Sequence, residues 1–294
     1  MYMRLWGTLI LLIMPWMVRA DSEKISKQQA LALGVVQGLT EFLPVSSTGH
    51  MILVNECCFK SDKASEQTQN ALNNYMVCVQ LGTILTLLLY FRKDILRIIQ
   101  GVLGKDKVGF KLGWNVGLAF IPAGLAGFFL DDYIQRFYNR ACVANALIVG
   151  GIILLVMEYL RGRSCRVFKD LYSMSWTMAL TIGLFQMIAL WPGFSRSLAT
   201  IMGGVFVGLS LVQAIRFSFL LGLLTSLVAT GYKFLKNGSE ILILMDGSTC
   251  LLGIVVAFFI GISTIYSFFK YLERNGLSIF GYYRIFIGIL LFVF

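Results

Sequence analysis

The chain is 294 residues long, 57% hydrophobic and only 14% charged, with a formal net charge of +10; soluble domains carry about 25% charged residues. Together with a mean hydropathy of +0.77, apolar residues gathered in long runs exclude a soluble enzyme of ordinary make-up and predict an all-α integral membrane protein. The basic residues lie between those runs instead of along one stripe, which excludes nucleic acid as a partner and makes the membrane the expected one.

The N-terminus reads Met1-Tyr2-Met3-Arg4, then an apolar run from Leu5 to Val18, then Val18-Arg19-Ala20 before Asp21. Residues 1–20 are a signal peptide or an extra N-terminal helix, and either places Asp21 outside the cytoplasm. Residues 21–294 form one membrane-embedded domain. Within it, runs near 72–91, 112–130, 141–160, 212–235, 249–269 and 280–294 give about six transmembrane helices. The last is short against the ~17–25 residues usual for a span. Two further apolar segments, about 28–59 and 174–209, are broken by Pro44 and Pro192 amid serines, threonines and glycines. Each is predicted to be a broken re-entrant helix pair, which lipid tolerates only where protein or a water-filled cavity covers the freed backbone groups.

The broken segments resemble each other. Gly34-Val35-Val36-Gln37 precedes Pro44-Val45-Ser46-Ser47-Thr48, and Gly183-Leu184-Phe185-Gln186 precedes Pro192-Gly193-Phe194-Ser195-Arg196-Ser197. Each is followed by three span candidates, so the halves, about 28–160 and 174–294, are expected to form an inverted repeat whose site lies where the broken helices meet. Linkers rich in Arg and Lys, 92–111 and 161–169, are expected to be cytoplasmic. Asp131 to Arg140 and Lys236 to Asp246 are then expected outside.

The six cysteines form no CxxC pair and no zinc-ligand spacing, so neither a metal cluster nor a disulfide framework is expected. His50 is the sole histidine. Ionisable groups at membrane depth are costly and mark functional sites. Gln37 and Glu41 are four apart, on one helix face, where they can address one ligand or cation; Glu41 can take a proton or coordinate a hard cation. Ser46-Ser47-Thr48-Gly49-His50 sets hydroxyls beside an imidazole, which suits either a nucleophile with phosphate-binding amides or a plain helix cap. Arg196, after a Pro-Gly turn and flanked by Ser195, Ser197 and Thr200, presents a fork that matches phosphate or carboxylate. Its plain alternative is a structural pair with Glu41, which would itself bring the two segments together.

These residues carry a resemblance. Gly38 through His50 and Pro192 through Ser197 resemble the two signature stretches of the bacitracin-resistance family of undecaprenyl-diphosphate phosphatases. The similarity continues through Gln80-Leu81-Gly82, Phe217-Ser218-Phe219-Leu220-Leu221 and Tyr283-Arg284. It implies a phosphatase that converts undecaprenyl diphosphate to the monophosphate, recycling the lipid carrier of cell-wall sugars and opposing bacitracin. It further implies a magnesium or calcium ion held by Glu41, with Gln37 a candidate second ligand. The expected setting is the bacterial cytoplasmic membrane, with the active site open to its outer face and a homodimer allowed. By motif position, Glu41, Ser47, His50 and Arg196 are the expected catalytic set. Gln37, Ser46, Thr48, Ser195, Ser197 and Thr200 are expected on the substrate. Two chemistries stay open: Ser47 attacks with His50 taking its proton, or Glu41 activates water. The chain departs from the family pattern at Gln37 and Arg216, where glutamate is usual, at Met76, where an acidic residue is common, and at Leu198, where glycine is usual. A rival from another class is a polyprenyl-lipid flippase or secondary transporter, since such carriers also use inverted repeats.

Overall fold

A computed structural model describes residues 25–59, 66–137, 139–162, 170–244 and 247–293. The N-terminal run Leu5–Val18 and the cations Arg163, Arg166 and Lys169 lie outside the described residues. Among these residues the elements are all helical.

Helix α1 (Lys27–Thr40) starts at Ser26, whose hydroxyl accepts from the Gln29 N–H at 3.2 Å while the Gln29 side chain accepts from the Ser26 N–H at 2.8 Å. This reciprocal cap satisfies two of the donors every helix start leaves open. The chain breaks over Glu41–Ser46 and resumes as α2 (Ser47–Phe59). Then come α3 (Glu66–Tyr90) and α4 (Arg92–Val102), the latter turned 76° from the Asn74–Tyr90 stretch of α3. Next are α5 (Lys107–Phe129), α6 (Asp131–Arg136), α7 (Arg140–Gly162) and a 3₁₀ turn at Leu171–Ser173. The second broken segment is α8 (Trp176–Met187), a 3₁₀ turn at Ile188–Leu190 and α9 (Arg196–Phe206). Helices α10 (Leu211–Leu244), α11 (Gly247–Leu272) and α12 (Ser278–Val293) complete the bundle.

All six expected spans fall on helices, α3, α5, α7, α10, α11 and α12. Four of them, α5, α7, α10 and α11, are long and apolar enough to cross a membrane, and the bent α3–α4 pair is a fifth if counted as one span. Helix α12 is apolar but shorter. The protein is multi-pass. Two helices, α4 and α6, occupy stretches expected as plain linkers, and α10 continues to Leu244 through most of the expected Lys236–Asp246 connection.

The two broken segments are built alike. Helix α1 packs along α11 and α8 along α5, while α3 meets α10 and α7 meets α12. A Cβ on Gly34 would lie 2.9 Å from the Gly253 carbonyl oxygen, and one on Gly183 would overlap that of Ala119. Absent side chains at these two glycines let each broken helix lie directly on its partner's backbone. Gln37 then donates to Thr83 Oγ1 of α3 at 3.5 Å, and Gln186 to Thr225 Oγ1 of α10 at 3.4 Å. The main core, including Phe42, Phe194, Phe217 and Phe219, lies between these elements and leaves the broken ends facing one another.

Candidate active site

The breaks are set by backbone as well as by proline. Ser46 has φ of 70° and Ser195 of 82°, and Gly193 has φ of 94°. Serine in the left-handed region is strained, so these turns persist because the surroundings hold them. Each serine then caps the helix that follows: Ser46 Oγ accepts from the Gly49 N–H at 3.3 Å, and Ser195 Oγ from the Leu198 N–H at 3.4 Å.

One side chain holds both turns. Arg284 of α12, with no exposed surface, donates through Nη1 to the Pro44 carbonyl at 3.1 Å. Through Nη2 it donates to the carbonyls of Ala146, Gly193 and Phe194 at 3.1, 3.2 and 2.8 Å. A planar fork with five donors can span two turns in this way, and an ammonium cannot.

Between the turns lies a polar cavity of about 170 Å³, lined from the first segment by Thr40, Glu41, Ser46, Ser47 and Thr48 and from the second by Pro192, Gly193, Ser195, Arg196 and Ser197. Glu41 is its centre. Its Oε1 accepts from Arg196 Nη2 at 2.5 Å, and its Oε2 accepts from Ser47 Oγ at 2.9 Å and Gln37 Nε2 at 3.1 Å. The ion pair joins residues 155 apart in sequence, so the convergence expected from the repeat is present. Charge-assisted bonds of this kind are short and strong in a partly desolvated site. Ser197 Oγ also crosses between segments, donating to the Leu43 carbonyl at 3.1 Å.

Three of the expected site residues sit behind this surface. Gln37 is buried and orients Glu41. Thr200 is buried, with its hydroxyl 2.6 Å from Ser218 Oγ and donating to the Arg196 carbonyl at 2.9 Å. His50 does not meet Ser47. Its Nδ1 lies 2.7 Å from the Ser46 carbonyl and its Nε2 2.7 Å from the Tyr283 hydroxyl. A carbonyl can only accept, so Nδ1 carries the proton and Nε2 accepts from tyrosine; both nitrogens are engaged. The Ser47 hydroxyl instead donates to Glu41.

Two polar lining residues are additional to those expected from their chemistry: Thr40 of α1, and Gln80 of α3, which donates to Ser226 Oγ at 3.3 Å and accepts from Thr230 Oγ1 at 3.5 Å. An amide inside an apolar run was the signal for Gln80.

For a divalent cation the cavity offers Glu41 as its sole carboxylate, with Gln37 adjacent, and no group of three or more His, Cys, Asp and Glu residues occurs among the described residues. With Arg196 already on Glu41, this donor set does not fit a cation caged by protein alone. It fits one that arrives with phosphate oxygens, as magnesium commonly does.

The family model of bacitracin resistance protein BacA matches residues 30–290. The chain belongs to this family. A relative from Clostridium tetani, an undecaprenyl-diphosphatase, is 39% identical over 267 residues, 90% of this chain and 95% of the relative. Undecaprenyl-diphosphatase 1 of Clostridioides difficile is 41% identical, covering 89% of this chain and 93% of its own. The undecaprenyl-diphosphatase of Wolinella succinogenes is 40% identical over 89% and 95%.

Membership of the BacA family gives the departures from its pattern a structural meaning. Arg216 does not line the cavity; it pairs with Asp94 at 3.1 Å, and Tyr172 donates to the same carboxylate at 3.0 Å. Leu198 is fully buried in the core, and Met76 packs against the small cluster around Tyr75. None of the three adds to the cavity lining.

Proposed function

We propose that this protein hydrolyses undecaprenyl diphosphate to undecaprenyl phosphate and inorganic phosphate. The observation that carries the reading is the Glu41–Arg196 pair with Ser47 on the same carboxylate, in a polar cavity enclosed by an apolar body. Such a body suits a substrate whose tail lies in lipid and whose charged head reaches the cavity.

Without substrate, Arg196 occupies one oxygen of Glu41. A diphosphate offers that guanidinium a more highly charged partner. Once Arg196 turns to the terminal phosphate, Glu41 keeps the Ser47 bond and is free to take its proton. Ser47 Oγ then attacks the terminal phosphorus. The bond from phosphorus to the bridging oxygen breaks, the lipid monophosphate leaves with that electron pair, and a phosphoserine remains. Glu41 passes the serine proton to the departing monophosphate oxygen, and the carboxylate so restored takes a proton from the water that hydrolyses the phosphoserine. Arg196, Ser195, Ser197 and turn amides offset charge on the transferring group. A cation held by Glu41 and Gln37 would supply further neutralisation of the diphosphate when bound. His50 positions the first turn through Ser46 and Tyr283.

The matching partners of the two broken segments favour an inverted repeat; the proposed substrate would set it in the bacterial cytoplasmic membrane with the cavity open to the outer face. A flippase or transporter is disfavoured, since the cavity's polar groups form one cluster around a single carboxylate instead of a path.

The test is phosphate release by the detergent-purified chain from undecaprenyl diphosphate, with and without magnesium. Arg196→Ala and Glu41→Ala each lose most turnover while the protein still inserts. Labelled substrate leaves phosphate on the wild type and none on Ser47→Ala. Lipid binding with no phosphate released under any cation would overturn the reading.

A further inference from the structure

We infer that Gly222 is a positioning residue for the active site: its bare backbone is the seat against which the Arg196 guanidinium is aimed. This rests on the reading of Arg196 as the phosphate-binding group. Gly222 follows directly on Phe217-Ser218-Phe219-Leu220-Leu221, a stretch to which the chemistry so far assigns nothing.

A Cβ built on Gly222 would lie 2.8 Å from Arg196 Cζ and 3.3 Å from Nη2, and would overlap Nη1. These three atoms, all of Arg196, are the nearest it meets. Arg196 therefore reaches between α10 and Glu41, with Nη1 toward Gly222 and Nη2 on the carboxylate. The seat is held in register by a second contact. Arg196 and Thr200 lie one turn apart on α9, as do Ser218 and Gly222 on α10, so each pair shares a helix face. The 2.6 Å bond between Thr200 and Ser218 hydroxyls fixes those faces together, and Thr200 also donates to the Arg196 carbonyl.

The consequence of a methyl group at 222 is unusual. The three atoms nearest to it are the end of one flexible side chain, so the fold accommodates it, and alanine is the better helix former. The guanidinium must leave its seat, and with it the alignment toward the cavity. Displacement of a substrate-positioning group by about 1 Å can cost on the order of 10²-fold in rate.

The experiment compares wild type, Gly222→Ala, Arg196→Ala and the double variant as full chains in detergent. It reads phosphate release and thermal unfolding, the latter with and without inorganic phosphate. Gly222→Ala is expected to lose on the order of 10²-fold in kcat/KM, to unfold at the same or a higher temperature, and to lose protection by phosphate. The double variant is expected to match Arg196→Ala alone, because the glycine acts through the arginine. An inactive Arg196→Ala beside a near-wild-type Gly222→Ala overturns this inference and leaves the proposed function standing. So does a Gly222→Ala that melts early, or a double variant worse than Arg196→Ala, since either makes the glycine a packing residue. Full turnover by Arg196→Ala overturns both.

Discussion

Arg284 shows how much one buried charge can organise. Hydrogen bonds to charged groups contribute about 1.5–3 kcal/mol each, and this guanidinium makes them to carbonyls of Pro44, Ala146, Gly193 and Phe194. Arg284→Lys keeps the charge and loses the fork. It is expected to destabilise by roughly 3 kcal/mol, read by thermal unfolding in detergent, and to depress turnover with it. Tyr283→Phe removes only the hydroxyl that His50 accepts from, at about 1 kcal/mol. In the proposed chemistry Glu41 takes the proton and His50 positions a turn, so Tyr283→Phe and His50→Gln should retain measurable turnover in conditions where Glu41→Gln has none. Glu41 and Arg196 were legible in the sequence because a charge in a chain this apolar needs a reason. The engagement of His50 was not, since its partner lies 233 residues away. Nor was Gly222, whose contribution is the absence of a side chain.

At the level of elements, the broken helices were legible because proline and glycine interrupt otherwise continuous apolar runs. The left-handed serines were not, because nothing in the residue type forces that backbone. They allow a sharp comparison. Ser195→Ala keeps the strained φ and loses the cap on α9, whereas Ser195→Gly loses the cap and relieves the strain. The glycine variant should be the more stable by roughly 1 kcal/mol, read by thermal unfolding. Helix α4 was missed for another reason: its charged residues read as a linker, although it buries Asp94 and Gly101 and turns Leu96, Ile99 and Val102 outward. It joins α5 through Asp106, whose carboxylate accepts from the N–H groups of Val108 and Gly109 and from Arg97 Nε. The Gly109 N–H first, and Arg97 after it, hold that carboxyl below the usual range. A depressed carboxyl stabilises the fold above its unfolded pKa and ceases to as pH falls through its folded one. Acid below the ordinary carboxylate range, and not mild acid, should therefore loosen the α4–α5 junction, seen as lost amide protection at Val108 and Gly109, and Asp106→Asn should flatten that dependence.

Across the whole molecule, low charge and long apolar runs made the membrane architecture readable, and the spacing of two similar segments made their meeting expected. What the pattern could not give was which helix supports which segment: α11 and α5, the partners of α1 and α8, are remote from them in sequence. The proposed activity has a cellular consequence that can be measured. Raising the amount of this protein in a bacterium should raise bacitracin tolerance, because the antibiotic sequesters the diphosphate that the enzyme removes; Arg196→Ala at equal abundance should not.

The arginine shared by both turns also sets an order of events during synthesis. Every residue that lines the cavity is made by the time position 197 is reached, yet the donor that ties the turns together arrives only at position 284, on α12. A nascent chain delivered to the bilayer from its N-terminus would thus hold all its reactive groups for nearly ninety residues of elongation before the centre could close. Chains ending after Leu272 should insert yet release no phosphate, and the enzyme would become competent only once α12 has been made.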